Sequence, residues 1–169
     1  MAANADWIDE LGSVWRREYR HLDTAALPPL VRLARLSLLI ESLQDQVLRP
    51  FELARGDYGV LAALRRAGAP YELSPSQLTS RLARSSGGMT KILKRLEEAG
   101  LVRRVPDPAD GRGSRVSLLP AGLELQDRVF EAFLVASQAL LKPLPDARLR
   151  EIDDALRALL DVFERHFAE

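Results

Sequence analysis

Between Ser74 and Arg115 the chain gathers side chains suited to holding an anionic polymer and hydrogen-bonding its edges. The small polar string Ser85, Ser86, Gly87, Gly88 is followed by Thr90, Lys91, Lys94 and Arg95, and Arg112 and Arg115 lie further on. Lysine and arginine hold phosphate oxygens or donate to purine edges, and serine and threonine do the same at shorter reach. From Arg81 to Arg115 nine Lys or Arg stand against four acids, whereas from Asp146 to Glu169 seven acids face four Arg. The net charge of zero therefore hides a segregation of charge, with the cationic region suited to phosphate.

Catalytic chemistry has no comparable concentration. The two histidines, His21 and His166, lie far apart in the terminal segments and lack metal-ligand spacing. Neither G-x-S-x-G nor G-x-x-x-x-G-K occurs, and Gly87-Gly88 reads as a helix entry. Glu97-Glu98 and Asp153-Asp154 are neighbours in helical segments, so their carboxylates diverge into solvent. With no cysteine, a disulfide, a thiolate-bound zinc and a thiol redox switch are all excluded. The expectation is a protein that is not an enzyme and uses no cofactor or metal.

A chain of 169 residues can bury one sizeable core. No apolar run is long enough to span a membrane, and no leader-like segment opens the sequence, so a cytoplasmic location with no membrane partner is expected.

The elements that would position the cationic residues follow from local signals. Ser74 is a helix N-cap, Pro75 suits the first helical position, and Gln77 can close a capping box. This first helix, with Leu78 and Leu82 on one side, fades around Ala83 and Arg84. Ser85 or Ser86 then caps a second helix in which Met89, Ile92, Leu93 and Leu96 share a face. Gly87, Lys91 and Lys94 lie opposite, with Thr90 and Arg95 at the flanks. Gly100 stops this helix in a left-handed conformation. The runs LVRRV and SRVSL flank PDPADGRG and predict a β-hairpin with Arg112 and Arg115 toward its tip. Tyr71 to Leu73 can supply a third strand.

Such a helix fits a DNA major groove about 12 Å wide. Lys91, Thr90 and Ser86 would approach base edges, with Gly87 allowing close backbone approach. Lys94, Arg95, Ser74, Ser76 and Gln77 would hold phosphates, aided by free N–H groups from Ser85 to Gly88. The alternative is a winged-helix protein-interaction module whose basic face meets an acidic partner.

The flanks read as helices. Trp7, Ile8, Leu11, Val14 and Trp15 mark the first, with Trp7 as a packing residue and Trp15 open to either packing or ligand contact. Leu33, Leu36, Ile40, Leu43 and Val47 form a seam in the next, and Val60, Leu61 and Leu64 face inward in a third beginning at Asp57. Beyond the hairpin, Leu125, Val129, Phe133, Ala136 and Leu140 form a stripe, as do Leu149, Ile152, Leu156, Leu159, Phe163 and Phe167. These faces exceed what one small domain can cover, which predicts a homodimer. Three regions are expected: N-terminal helices over 1–54, a DNA-binding segment over 55–119, and dimerisation helices over 120–169.

The string SSGGMTKILKRLEEAGLVRRVPDPADGR, with the following V-S-L, resembles the winged helix-turn-helix of the MarR family of bacterial transcription regulators. The resemblance implies a mainly α fold with a small β-wing and a helical dimerisation region. It also implies a regulator, most often a repressor, binding a pseudo-palindromic double-stranded DNA operator and responding to a small-molecule effector. In the family's Asp-x-Arg wing motif, Asp110 would brace the wing and Arg112 would enter the minor groove. The N-terminal helix and nearby wording are similar to the branch that senses urate or trans-aconitate, which implies effector binding by Trp15 and Arg104. Two further anchors of that branch are replaced here by Gly59 and Ile92. Asp57 stands two residues before the lost acid and is expected to point elsewhere. Leu119 replaces the family's usual Thr cap ahead of Pro120.

Overall fold

The computed structural model describes residues 6–82, 85–108 and 110–168, with the side chains of 110–112 set aside. The expected roles of Asp110 and Arg112, and the expected helix end at Ala83 and Arg84, lie outside what is described. Two compact units are present, and their boundary falls between Val129 and Phe130. The N-terminal helices group with the winged segment in the first unit.

The first unit begins with helix α1 (Trp7–Glu18), capped by Asp6, whose carboxylate accepts from the N–H groups of Ile8 and Asp9. Asp9 returns the bond to the Asp6 N–H at 3.0 Å. Helix α2 (Leu27–Leu48) starts at a Pro-Pro pair and ends in a 3-10 turn, Arg49–Phe51. Its Arg32 reaches Asp6 at 2.8 Å and Asp9 at 2.6 Å, which pins α1 to α2. Ile8 is buried, but Trp7 is 58% exposed and does not pack as expected. Leu36 and Ile40, on the expected α2 seam, are likewise about half exposed at 49% and 50%.

Helix α3 (Arg55–Arg66) supplies the centre of the core through Val60, Leu61, Ala63 and Leu64. It ends before Gly68, whose φ of +77° lies in the left-handed region. Strand β1 (Glu72–Leu73), helix α4 (Pro75–Arg81), helix α5 (Ser86–Glu98), strand β2 (Val102–Asp107) and strand β3 (Asp110–Leu118) complete a winged helix-turn-helix. The sheet is antiparallel in the order β1-β3-β2, with Leu73 and Arg104 both opposite Val116. Leu73, Val102, Val116 and Leu118 point into the core and meet Leu78, Met89, Ile92, Leu93 and Leu96 from the two helices. These four buried side chains hold the base of the wing against the helices.

Helix α6 (Pro120–Leu141) opens with no cap from Leu119, whose N–H instead donates to the carbonyl of Leu101 at 3.0 Å. A side chain at Gly122 would run into that same Leu101 carbonyl, so only glycine lets α6 start this close to the wing.

The second unit holds the end of α6 and helix α7 (Asp146–Ala168), joined through Lys142–Pro145. None of the described α7 residues is buried, and Ile152, Leu156, Leu160, Val162, Phe163 and Phe167 are all exposed. Arg157 pairs with Asp153 and Arg165 with Asp161 on its solvated side.

Candidate nucleic-acid interface

The entry to α4 is fixed by its own side chains. Ser74 Oγ accepts from the Gln77 N–H at 3.2 Å, while Gln77 Oε1 accepts from the Ser74 N–H at 2.9 Å. Ser74 and Ser76 share a hydrogen bond of 2.8 Å between their hydroxyls. The expected capping box is therefore present. Leu78 anchors α4 to the core with no exposure.

Ser85 caps α5, accepting from the Gly88 N–H at 3.2 Å. Its partner rule is the same: a hydroxyl satisfies one of the donors that the first helical turn leaves open. Met89, Ile92, Leu93 and Leu96 are buried, so Ser86, Gly87, Thr90, Lys91 and Lys94 are turned outward together. Thr90 donates its hydroxyl back to the Ser86 carbonyl at 3.0 Å. Lys94 lies 3.8 Å from Glu98, both well exposed, a pairing of little strength in water. Lys91 makes no ion pair among the described residues. A Cβ on Gly87 would meet nothing within 4 Å, so no contact among the described residues requires glycine there. Between α4, α5 and β2 runs a cleft of about 480 Å³ lined by Ser76, Ser86, Thr90 and Arg104 among others.

Several expected contacts are arranged otherwise. The Arg95 guanidinium is turned to Asp57, with Nη2 at 2.5 Å from Oδ1 and Nε at 3.0 and 3.1 Å from the two oxygens. Those hydrogen bonds hold its pKa above the usual arginine value. Asp57 points inward, its side chain 4% exposed, and also caps α3 by accepting from the Ala54 N–H at 3.0 Å. Arg115 is not at the wing tip. It sits within β3 opposite Val105, with Nε 3.6 Å from Asp107, an ion-pair contact longer than a hydrogen bond.

The proposed effector pair is also separated. Trp15 packs on Tyr19, ring centroids 5.3 Å apart, and lines a small apolar cleft with Ile8, Leu11 and Pro28. Arg104 lies on β2, 3.3 Å from Glu97, beside the outward face of α5. Within one chain the two line different clefts. The capping role of Asp57 has a local signal, since Ala54 cannot cap a helix and an acid three residues later can reach back to its N–H, but its pairing with Arg95 has none.

The arrangement presents a polar, cationic helix face beside a β-wing, and its likenesses are of one kind. The MarR family pattern matches residues 51–113. The chain is 35% identical over 159 residues to the HTH-type transcriptional regulator PecS of Dickeya dadantii (strain 3937), covering 94% of this chain and 93% of that one. It is 27% identical over 136 residues to the HTH-type transcriptional repressor IacR of Pseudomonas putida, covering 80% of each. Among solved structures, a MarR mutant from E. coli complexed with operator DNA superposes with a TM-score of 0.67 at 27% identity, over 78% of this chain and 94% of that one. A MarR family protein from Bacillus stearothermophilus shares the fold with a TM-score of 0.72 at 20% identity, over 85% of this chain and 99% of that one.

Proposed function

Since the chain belongs to the MarR family of transcription regulators, we propose that it represses transcription by binding duplex DNA as a homodimer, one α5 to each half-site. One observation carries this reading. The face of α5 opposite its buried residues presents Ser86, Gly87, Thr90, Lys91 and Lys94 without internal obligation beyond the Thr90 back-bond and the weak Lys94 pair. In the proposal Lys91, Thr90 and Ser86 meet base edges, Gly87 admits the backbone, and Lys94 with Ser74, Ser76 and Gln77 holds phosphate. Ser85 both caps α5 and orients its N-terminal N–H groups toward phosphate. Arg112 reaches the minor groove from a wing braced by Asp110.

Dimerisation is supported by apolar surface left open on a single chain. In the first unit Leu36, Leu38, Leu39 and Ile40 are exposed on α2, and in the second unit Ile152, Leu156 and Phe163 are exposed on α7. Exposed apolar area on this scale marks an interface. A small-molecule effector is part of the family reading, but Trp15 and Arg104 of one chain do not hold it jointly in this proposal.

The test is selection of bound duplexes from fragmented genomic DNA, followed by affinity for the selected duplex and a shuffled one at near-physiological salt. A ratio of about 10³ or more is expected of a specific regulator. Equal, weak binding to both would instead support a protein-interaction module.

A further inference from the structure

We propose that Arg95 serves DNA recognition as a positioning residue, setting the roll of α5 through Asp57 rather than holding phosphate itself. The inference rests on the reading of α5 as the helix that enters the major groove. Asp57 is the only charged side chain among the described buried residues. Its two oxygens are occupied by the Arg95 fork and by the Ala54 N–H, so it ties α5 to the first turn of α3. A carboxylate withdrawn from water holds its place through such partners, and a planar guanidinium matches it in two directions at once.

A second contact lies beside the first. Ile92 covers Gly56, where a Cβ would come within 2.8 Å of Ile92 Cδ1. Adjacent residues of α3 thus receive two α5 side chains three positions apart, one apolar and one ionic. Together these contacts fix both the rotation and the axial position of α5. Lys91 directly precedes Ile92 and Lys94 directly precedes Arg95, so the grip that buries Ile92 and turns the Arg95 guanidinium to Asp57 leaves the lysines facing outward. A slip of one residue would rotate the helix by about 100° and take Lys91 out of register with any groove. Pairing with Asp57 also offsets the Arg95 charge that a phosphate would meet.

The two roles predict opposite signs for Asp57→Asn, which keeps one oxygen to accept from the Ala54 N–H, replaces the other by an NH2 that cannot accept from Arg95, and removes the charge. If Arg95 held phosphate, freeing it from Asp57 would tighten binding. As a brace, its loss loosens α5, so DNA affinity falls about tenfold with the salt slope unchanged. Amide hydrogen exchange of the full chain without DNA gives a second readout: α5 amides exchange faster in Asp57→Asn while α2 is unaffected. Arg95→Lys retains the positive charge but not the fork, and reproduces both effects. Tighter binding by Asp57→Asn, or α5 exchange unchanged in both variants, overturns the proposal. Should the unmodified chain fail to bind any duplex, the groove reading falls, while the exchange result still decides whether the brace exists.

Discussion

At the scale of single residues, Gly87 separates stability from recognition. Glycine costs up to about 1 kcal/mol relative to alanine in a helix interior and less in a first turn such as this one, and no neighbour among the described residues asks for it. Gly87→Ala is therefore expected to raise the thermal midpoint slightly while weakening DNA binding, because the added methyl occupies the space left for a close approach. A variant both more stable and equally tight would show that nothing external approaches there. Lys91→Ala is expected to leave the fold intact and relax preference at one base position by about 1–3 kcal/mol, read as affinity across single-base operator variants. Uniform weakening across all variants would assign Lys91 to phosphate instead. The Ser74 box, the Ser85 cap and the four buried residues of α5 were legible in the sequence, since each depends on neighbours within one or two turns. The partners of Arg95 and Arg115 were not. A guanidinium carries no mark of which carboxylate it will meet, and Asp57 lies 38 residues from Arg95.

Among the elements, α1 meets α2 through Ile8 and Gly12 and is clamped by charge on its exposed side. The Arg32 hydrogen bonds hold the Asp6 and Asp9 carboxyls below the ordinary aspartate value of 3.8. Depressed carboxyl pKa values stabilise the docked helix at pH above the unfolded value, and that contribution disappears as pH falls through the folded values. Docking of α1 should thus be flat from neutral pH down to the ordinary carboxylate range and be lost below it. Both tryptophans of the chain, Trp7 and Trp15, lie on α1, so their emission reports the transition directly. Arg32→Gln should loosen α1 already at neutral pH and flatten its acid dependence. An acid transition of the same position and amplitude in Arg32→Gln would remove the clamp from the account. The existence of α1 was legible from its apolar spacing, whereas its attachment was not. Trp7 reads as a packing residue by type and yet stands exposed, because Ile8 and Gly12 supply the face that meets α2.

For the whole molecule, the apolar stripes read in α2 and α7 lie on helices, and a single chain leaves Leu36 and Ile40 of the first and Ile152, Leu156, Phe163 and Phe167 of the second exposed. Periodicity shows that a face is apolar, and says nothing of whether the same chain or a second copy covers it. Leu156→Asp combined with Phe163→Asp is expected to move the sedimenting species from about twice 18.8 kDa to a single chain. Losing the linked second half-site should then cost about 10²–10⁴ in operator affinity. A dimer that persists with both substitutions would place the interface elsewhere.

In the DNA complex α5 is expected to lie in the major groove of each half of a symmetric site. Because the chain has no cysteine, Ser86→Cys can carry a single DNA-cleaving iron chelate at the front of that helix. On a selected duplex the account predicts two symmetric clusters of cleavage, about 10 bp apart from centre to centre. Cuts spread evenly along a duplex that remains bound, or no cuts at all, would contradict it.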